Sequence, residues 1–577
     1  MGEVILARPV SAPRERGAPF LAFLIAASFL MIALSRETQT IARRAGYSAQ
    51  LGAPLYSHFY APWASLDWML KYDWRLNLFA SASSPYPSTI GTETAWAREA
   101  FAAERRRLSW EAAGAFVLFL ALSIMLPDAR KNSDLHGQAR WATGRDLRRS
   151  ALTRAQYGVT LGQTKRLFGL PGTLLIHNDT QNVLGIGPPG EGKSNGIARP
   201  SLTKTWLFWS AIVFDPAYEL TPLTARARAR HTRVQIFDPR SRETARFNPL
   251  DGIATGDVDG VRAVLSSFFY DRDASELSAD SRIFESRALA FAVAVTSHVI
   301  ELGAPTLEAA ARYVSDPAWK SEAEICESLL KSEIRYVQET GAEFARMTEK
   351  QRSPFIATLT DRFELFRSPD VANATSASDI SSADLRREAT TLYLVVREKD
   401  QAALNPLMRM MMTRLIHDLV SRLPEKGEQR ILLMIDEFPL LKAPIIEQEL
   451  ATMRKYWIHA VLLAQTLSQV RKYYGSNESI SGLCDVRVFF PSVDDATQRL
   501  ASNTCGQSTR WAESVSHDDS GKKSYSTHEA GRPLLYPHEL ADMKAWGEII
   551  VYKKGEHPIK ARPVQAHRDR RFTETKE

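Results

Sequence analysis

The stretch Gly187-Pro188-Pro189-Gly190-Glu191-Gly192-Lys193-Ser194 constrains this chain more than any other. Its spacing fits G-x-x-x-x-G-K-[ST], a loop whose glycines let backbone N–H groups turn inward onto phosphate oxygens. Such a loop works between a strand and a helix, because the helix N-terminus adds its positive end to the cradle. Asn182-Val183-Leu184-Gly185-Ile186 reads as the buried strand leading in, and Asn195-Gly196-Ile197-Ala198 as the helix leading out. Lys193 is expected to reach the β- and γ-phosphates, and the Ser194 hydroxyl to complete a Mg2+ shell. The expected ligands are ATP and Mg2+, with residues 187–195 around the phosphates.

A second element adds hydrolysis. Ile431-Leu432-Leu433-Met434-Ile435 is short and fully apolar, as suits a central parallel strand buried on both faces. It runs into Asp436-Glu437-Phe438. Carboxylates at the C-terminal end of such a strand sit where open α/β sheets bind ligands. Asp436 is expected to hold Mg2+, usually through water, and Glu437 to orient and polarise an attacking water. An Asp-Glu pair alone reads equally well as the cap of a buried strand. The phosphate loop upstream selects the catalytic reading.

With 577 residues and 44% apolar content, the chain has material for several cores. Its net charge of +7 is compatible with nucleic acid or anionic lipid, but the Lys and Arg residues are spread along the whole length. Cys326, Cys484 and Cys505 form neither a C-x-x-C pair nor an even set. That argues against a disulfide framework and a zinc site, and fits structural thiols in a reducing compartment.

Two apolar segments stand near the N-terminus. Phe20 to Leu34 is fifteen residues without a charge, and Ala112 to Leu126 is a second such run, preceded by Trp110. Each alone is short for a membrane span and fits a buried helix or a signal segment as well. Together they predict a hairpin, with spans at about 18–35 and 110–127 and an extracytoplasmic loop at about 36–109. Arg8, Arg14 and Arg16 precede the first run, and Arg130 and Lys131 follow the second, which places both outer ends in the cytoplasm. Arg105-Arg106-Arg107 opposes that orientation from the outward side. Charge counting fails over so long a loop. The cytoplasmic location of ATP decides the orientation. The loop carries Tyr56, Phe59, Tyr60, Trp63, Trp68, Tyr72, Trp74 and Phe79, which fit either a small docking domain or an interfacial belt around an ordinary core.

Beyond residue 135, apolar runs alternate with helical stretches. Trp209 to Phe214 ends in Asp215-Pro216, and Val234 to Phe237 in Asp238-Pro239; Thr391 to Val396 and Ala460 to Ala464 are further strands. This pattern predicts an α/β fold with a parallel, helix-covered sheet. Residues 254–385 show helical periodicity instead and read as an all-α insertion. The polar stretch 507–532, with Lys522 and Lys523, reads as a mobile loop or hairpin, and 566–577 as a disordered tail.

Several stretches, taken in order, resemble one family. Gly137-Gln138-Ala139-Arg140-Trp141-Ala142 is similar to the opening Gly-x-Ala-Arg-Trp-Ala segment of type IV secretion coupling proteins, the TraG-type conjugative ATPases. The phosphate loop, Phe247-Asn248-Pro249-Leu250, Asp436-Glu437-Phe438, Gln465 after the next strand, and Arg532-Pro533-Leu534-Leu535 with Glu539-Leu540 follow in the family's order. The resemblance implies a RecA-like nucleotide-binding domain at 135–253 and 386–565, an inserted all-α domain at 254–385 and a membrane anchor at 1–134. It implies a hexameric ring in the bacterial inner membrane, multi-pass, with both termini cytoplasmic. Such a ring hands relaxase-bound single-stranded DNA, or effector proteins, to a type IV secretion channel. By the same resemblance Gln465 is the γ-phosphate sensor, and Arg454 is an arginine finger offered to the neighbouring subunit.

Two departures stand out. Ala217 replaces a lysine that the family carries after the second strand, and Met453 replaces the glycine beside the arginine. Two other functional classes are weighed against the DNA-coupling motor: a receptor for protein effectors alone, and an FtsK-like double-stranded DNA translocase. The second normally carries more membrane spans and a winged-helix tail, and this chain shows neither.

Overall fold

The computed structural model describes residues 17–44, 46–47, 51–72, 110–111, 113–117, 135–165, 172–270, 279–517, 523–544 and 547–573. The chain divides into two units, Met1–Leu135 with Thr509–Ala530, and His136–Ser508 with Gly531–Glu577.

The larger unit is built on a nine-stranded sheet, in the order β13-β12-β9-β3-β8-β7-β4-β6-β5. The strands are β3 (Val183–Ile186), β4 (Ser210–Asp215), β5 (Arg233–Phe237), β6 (Thr390–Val395), β7 (Ile431–Ile435), β8 (Ile458–Ala464), β9 (Val486–Phe489), β12 (Ile549–Lys553) and β13 (Ile559–Ala561). From β9 to β5 every pairing is parallel, while β12 runs antiparallel to both β9 and β13. The predicted parallel sheet is therefore present, with an antiparallel edge. A small antiparallel pair, β1 (Val159–Gln163) and β2 (Leu174–His177), lies outside it. Of the two alternatives for 507–532 the hairpin is present, as β10 (Gln507–His517) and β11 (Lys523–Pro533); Lys522 lies outside the described residues.

Side chains alternate across each strand, and the central strands are apolar on both faces because both faces are covered. Leu184, Ile186, Ile212, Phe214, Leu433 and Ile435 join one core. Val183, Ala211, Val213, Leu432, Met434 and Leu463 join the other, where Ile197, Leu202 and Trp206 of the helix after the phosphate loop pack on them. The first core receives the helices that lie between β5 and β6, from Val258–Phe269 to Ser382–Arg387. Among the described residues that stretch contains helices and no strand. Its longest helix, Ala279–Glu301, contains a segment, Ile283–Glu301, apolar enough to cross a membrane. Two thirds of that segment (67%) is buried, and its residues Phe291, Ala292, Val293 and Val295 lie in the core.

The Phe-Asn-Pro-Leu segment pins these helices to the sheet. Asn248 donates to the Pro305 carbonyl at 2.8 Å and accepts from the Leu250 N–H at 3.0 Å, while the Phe247 N–H reaches the Ala374 carbonyl. Arg246 and Asp379 form a two-pronged ion pair beside it, each prong 2.9 Å.

In the smaller unit, the first apolar run is a helix, α1, that spans Gly17–Arg44 and so outlasts the expected span end by nine residues, 36–44. The chain then folds back, and α2 (Ala64–Tyr72) packs on it. Tyr60 and Trp68 join Ile41, Ala42 and Leu51 in a small core, whereas Tyr56, Phe59 and Trp63 are exposed. The described loop aromatics thus divide between buried and exposed positions. Of the second expected span, only 110–111 and 113–117 are described; Tyr72's side chain, Trp74, Phe79, Arg105 to Arg107 and 118–127 lie outside the described residues.

The expected disordered tail needs correction for residues 566–573. Ala566 and Phe572 are buried with Val564, and the Arg571 guanidinium donates to the Gly172 carbonyl at 3.0 Å and to Gln163 Oε1 at 2.7 Å. Pattern reading missed this because so polar a segment is held by hydrogen bonds and one phenylalanine rather than by an apolar stripe.

Candidate nucleotide site

The phosphate loop leaves the C-terminal end of β3 between β8 and β9. Gly190 and Gly192 take φ of +82° and +93°, a region that only glycine enters cheaply. A Cβ at Gly187 would run into Phe490, so the first glycine is required by space rather than by φ. The helix that follows starts at Ser194 and is wound with i→i+5 hydrogen bonds, Arg199 N–H to Ser194 O and Trp206 N–H to Ser201 O. Such wide turns recur at functional sites.

Lys193 is buried, and its ammonium donates to the Gly187 and Pro188 carbonyls, the latter at 3.2 Å, so the charge is held inside the loop. Burial pulls its pKa below the usual lysine range, while Glu437, Asp436 and Glu191 oppose that pull. The Ser194 hydroxyl donates to Asp436 Oδ2 at 2.7 Å, joining the two sequence motifs directly. Burial pushes the Asp436 carboxyl up to about 6, against the Ser194 hydrogen bond and the Lys193 charge. Glu437 is also raised, first by burial.

Glu437 follows β7 in the left-handed region, at φ 56° and ψ 52°. A non-glycine residue there costs on the order of 1 kcal/mol, a strain that clusters at working sites. The Gln465 N–H, at the end of β8, donates to Glu437 Oε1 at 3.3 Å. It is shared with Gln469 Oε1, also at 3.3 Å, and the Gln469 side chain hydrogen-bonds Glu437. Gln469 was missed by sequence reasoning. Its signal was the Thr466-x-x-Gln469 capping pattern, in which Thr466 caps the helix Leu467–Tyr474 through the Gln469 N–H.

Pro189, Gly190, Gly192 to Asn195, Asp436, Glu437 and Gln465 therefore line one cleft of about 640 Å³, within the range of small-ligand pockets. Pro216, Ala217, Glu219, Glu398, Gln401 and Leu440 complete its walls. Asp215, at the end of β4, does not line the cleft, although its charge adds to the rise at Asp436. Its carboxylate accepts the Glu219 N–H at 3.0 Å and the Thr221 N–H and hydroxyl at 2.7 Å, capping the next helix.

The donor set fits Mg2+. A hydroxyl and a carboxylate oxygen side by side suit a hard cation that takes its remaining ligands from water and phosphate. No group of three or more His, Cys, Asp or Glu side chains among the described residues could hold a metal by itself. The positive-φ glycines of the loop and the Lys193 ammonium fit a polyphosphate.

Arg454 is elsewhere. It is exposed on the turn Met453–Tyr456 before β8, whereas Gln465 follows β8. Seven buried residues at about 3.3 Å each separate the two ends by roughly 20 Å, so Arg454 cannot touch the cleft of its own chain.

The family model for type IV secretory system conjugative DNA transfer matches residues 140–577. The conjugal transfer protein TraG of Escherichia coli is 26% identical, covering 92% of this chain and 89% of its own length. The protein VirD4 of Rhizobium radiobacter is 30% identical, covering 79% of this chain and 67% of its own. Among solved structures, the bacterial conjugative coupling protein TrwB lacking its N-terminal segment superposes with a TM-score of 0.56 at 17% identity, covering 74% of this chain and 92% of that one. TrwB in complex with ADP and Mg2+ gives 0.55 at the same identity, over 74% and 93%. The larger unit has the RecA-like α/β fold of that coupling protein, and the chain belongs to the type IV secretion conjugative DNA-transfer family.

Proposed function

We propose that this protein is a membrane-anchored ATPase. It recruits relaxase-bound single-stranded DNA, with or without effector proteins, to a type IV secretion channel and couples ATP hydrolysis to their transfer. The observation that supports it best is the convergence of Lys193, Ser194, Asp436, Glu437 and Gln465, from three separate strands, on one cleft.

In this reading residues 187–195 wrap the ATP phosphates, and Lys193 leaves its loop carbonyls for the β- and γ-phosphates. Ser194 and Asp436 hold Mg2+, which neutralises charge on the phosphates. Glu437, fixed by its left-handed backbone and by Gln465 and Gln469, orients the attacking water and takes its proton. Gln465 reports the γ-phosphate to β8. Arg454, at the far end of that strand, serves the neighbouring subunit's cleft, so hydrolysis needs a hexameric ring. The helices between β5 and β6 form an inserted cargo-reading domain. The N-terminal unit anchors the ring as a two-span hairpin in the inner membrane, with both termini cytoplasmic.

The test is ATP turnover by the full chain in lipid discs, with and without single-stranded DNA, using Lys193→Ala as the blank. Turnover that rises with DNA and with protein concentration supports the DNA-coupling motor. Turnover indifferent to DNA favours a receptor for protein cargo. No difference from Lys193→Ala would refute the ATPase.

A further inference from the structure

The chain after α1 turns back on the helix, and hydrogen bonds fix the level of each part. Gln39 Nε2 donates to the Tyr60 carbonyl at 2.9 Å, and Thr38 Oγ1 to the Pro62 carbonyl at 2.7 Å and to Ser65 Oγ at 2.9 Å. Trp68, further on, donates to the Leu51 carbonyl at 2.8 Å and packs with Ile41 and Ala42. Read along α1, the returning chain descends from residue 39 to residue 38 and then climbs to 41–42. Its lowest point is the turn around Trp63, closed by Ala64 N–H to Ala61 O and Leu66 N–H to Trp63 O.

That turn is apolar and uncovered. Trp63 is 59% exposed and Leu66 40%, although Thr38 and Ser65 between them are fully buried. The apolar run of α1 ends at Leu34, and at 1.5 Å per residue Thr38 stands about 6 Å beyond it. A third marker stands at nearly the same level. Arg36 pairs with Glu111, and the adjoining Trp110 is 80% exposed. Two exposed tryptophans and a leucine thus lie within about one helical turn past the end of an apolar run. A headgroup boundary occupies that depth, and tryptophan prefers it because its ring is apolar and its N–H is wet.

We propose that the turn Ala61–Leu66, together with Trp110, seats on the outer lipid surface of the membrane that α1 enters. The occupant of this apolar face is the headgroup and upper acyl region of phospholipid, not another protein. The assignment rests on the membrane-anchor reading above. It adds that the first part of the extracytoplasmic loop is a collar that fixes the depth and tilt of α1, rather than a domain standing free in the periplasm.

The test reconstitutes the full chain into vesicles of phosphatidylcholine and phosphatidylglycerol. Because Cys326, Cys484 and Cys505 are buried, a single added cysteine can carry an environment-sensitive fluorophore. Leu66→Cys keeps Trp63 in place, Trp63→Cys probes the apex, and Phe29→Cys marks the apolar part of α1. Quenching is compared between lipids spin-labelled near the headgroup and near the acyl terminus. We expect the labels at 63 and 66 to be quenched about twofold or more by the shallow probe over the deep one, and the label at 29 to show the reverse order. Deep quenching at 29 with none at 63 and 66 would overturn the collar and leave the anchor standing. No quenching at 29 would overturn the anchor, and the collar with it.

Discussion

Asp436→Asn should make the protein more stable while disabling it. The Asp436 carboxyl is raised from 3.8 to about 6, chiefly by burial. An acid whose pKa is higher in the folded chain holds its proton more tightly there. Its contribution is therefore fully present below about pH 4 and is lost as the pH rises through about 6. A shift of about two units at roughly 1.4 kcal/mol each gives about 3 kcal/mol as the upper figure. Asp436 is partly open to the cleft, and solvent screening there reduces the expected penalty to roughly 1–2 kcal/mol. Asparagine keeps an oxygen that can accept the Ser194 hydroxyl and removes the charge. In EDTA, without nucleotide, at about pH 7.5, thermal unfolding of Asp436→Asn should come a few degrees above wild type. Near pH 4.5 the gap should shrink towards zero, because Glu437, which burial raises in the same direction, is common to both proteins and cancels in the difference. Mg2+ with ATP should then stabilise wild type and not the variant. A variant no more stable than wild type at the higher pH, or a gap that ignores pH, would refute the burial argument.

Glu437→Gln should lower ATP turnover by about 100-fold or more while leaving nucleotide binding within a few-fold, read by turnover and calorimetry on one preparation. A weakened affinity with unchanged turnover would move Glu437 from water activation to binding. Arg454→Ala alone and Lys193→Ala alone should both be inactive, yet mixing them should restore part of the turnover. A mixture as dead as its parts would remove Arg454 from the neighbour's cleft. Ala217→Lys should strengthen nucleotide binding measured without Mg2+ by several-fold, and an unchanged affinity would show that this wall of the cleft does not face the phosphates.

The cleft was legible because its chemistry demands particular residue types at fixed spacing. Glycines at 190 and 192 follow from positive φ, and Asp436 follows from a strand end. What held those parts in register was not legible. The hydrogen bond from Ser194 to Asp436 joins residues 242 positions apart, and nothing local announces it. The left-handed backbone at Glu437 sits on a residue type that normally avoids it, so propensity points the wrong way. Helical periodicity located the stretch between β5 and β6, but it could not show that those helices share one core with the sheet. In the N-terminal unit the aromatic count was visible, but its division was not. Whether Tyr60 is buried and Trp63 exposed depends on the return path of the loop along α1.

Ala217, where the resemblance implies a lysine, gains its meaning from the charge inventory of the cleft. Among its lining residues, Lys193 is the one cation, set against Glu219, Glu398, Asp436 and Glu437. A triphosphate adds roughly four more negative charges. At an effective dielectric near 20, each unneutralised pair about 4 Å apart costs on the order of 4 kcal/mol. The balance has to come from outside the chain's own side chains. A divalent cation held by Ser194 and Asp436 would supply one part. In the proposed ring a neighbouring subunit would supply another, and Arg454, exposed at the opposite end of β8, is the candidate for it. In the proposed reading, a chain with so acidic a cleft should depend strongly on Mg2+ and on assembly. Isolated subunits should be correspondingly poor ATP binders.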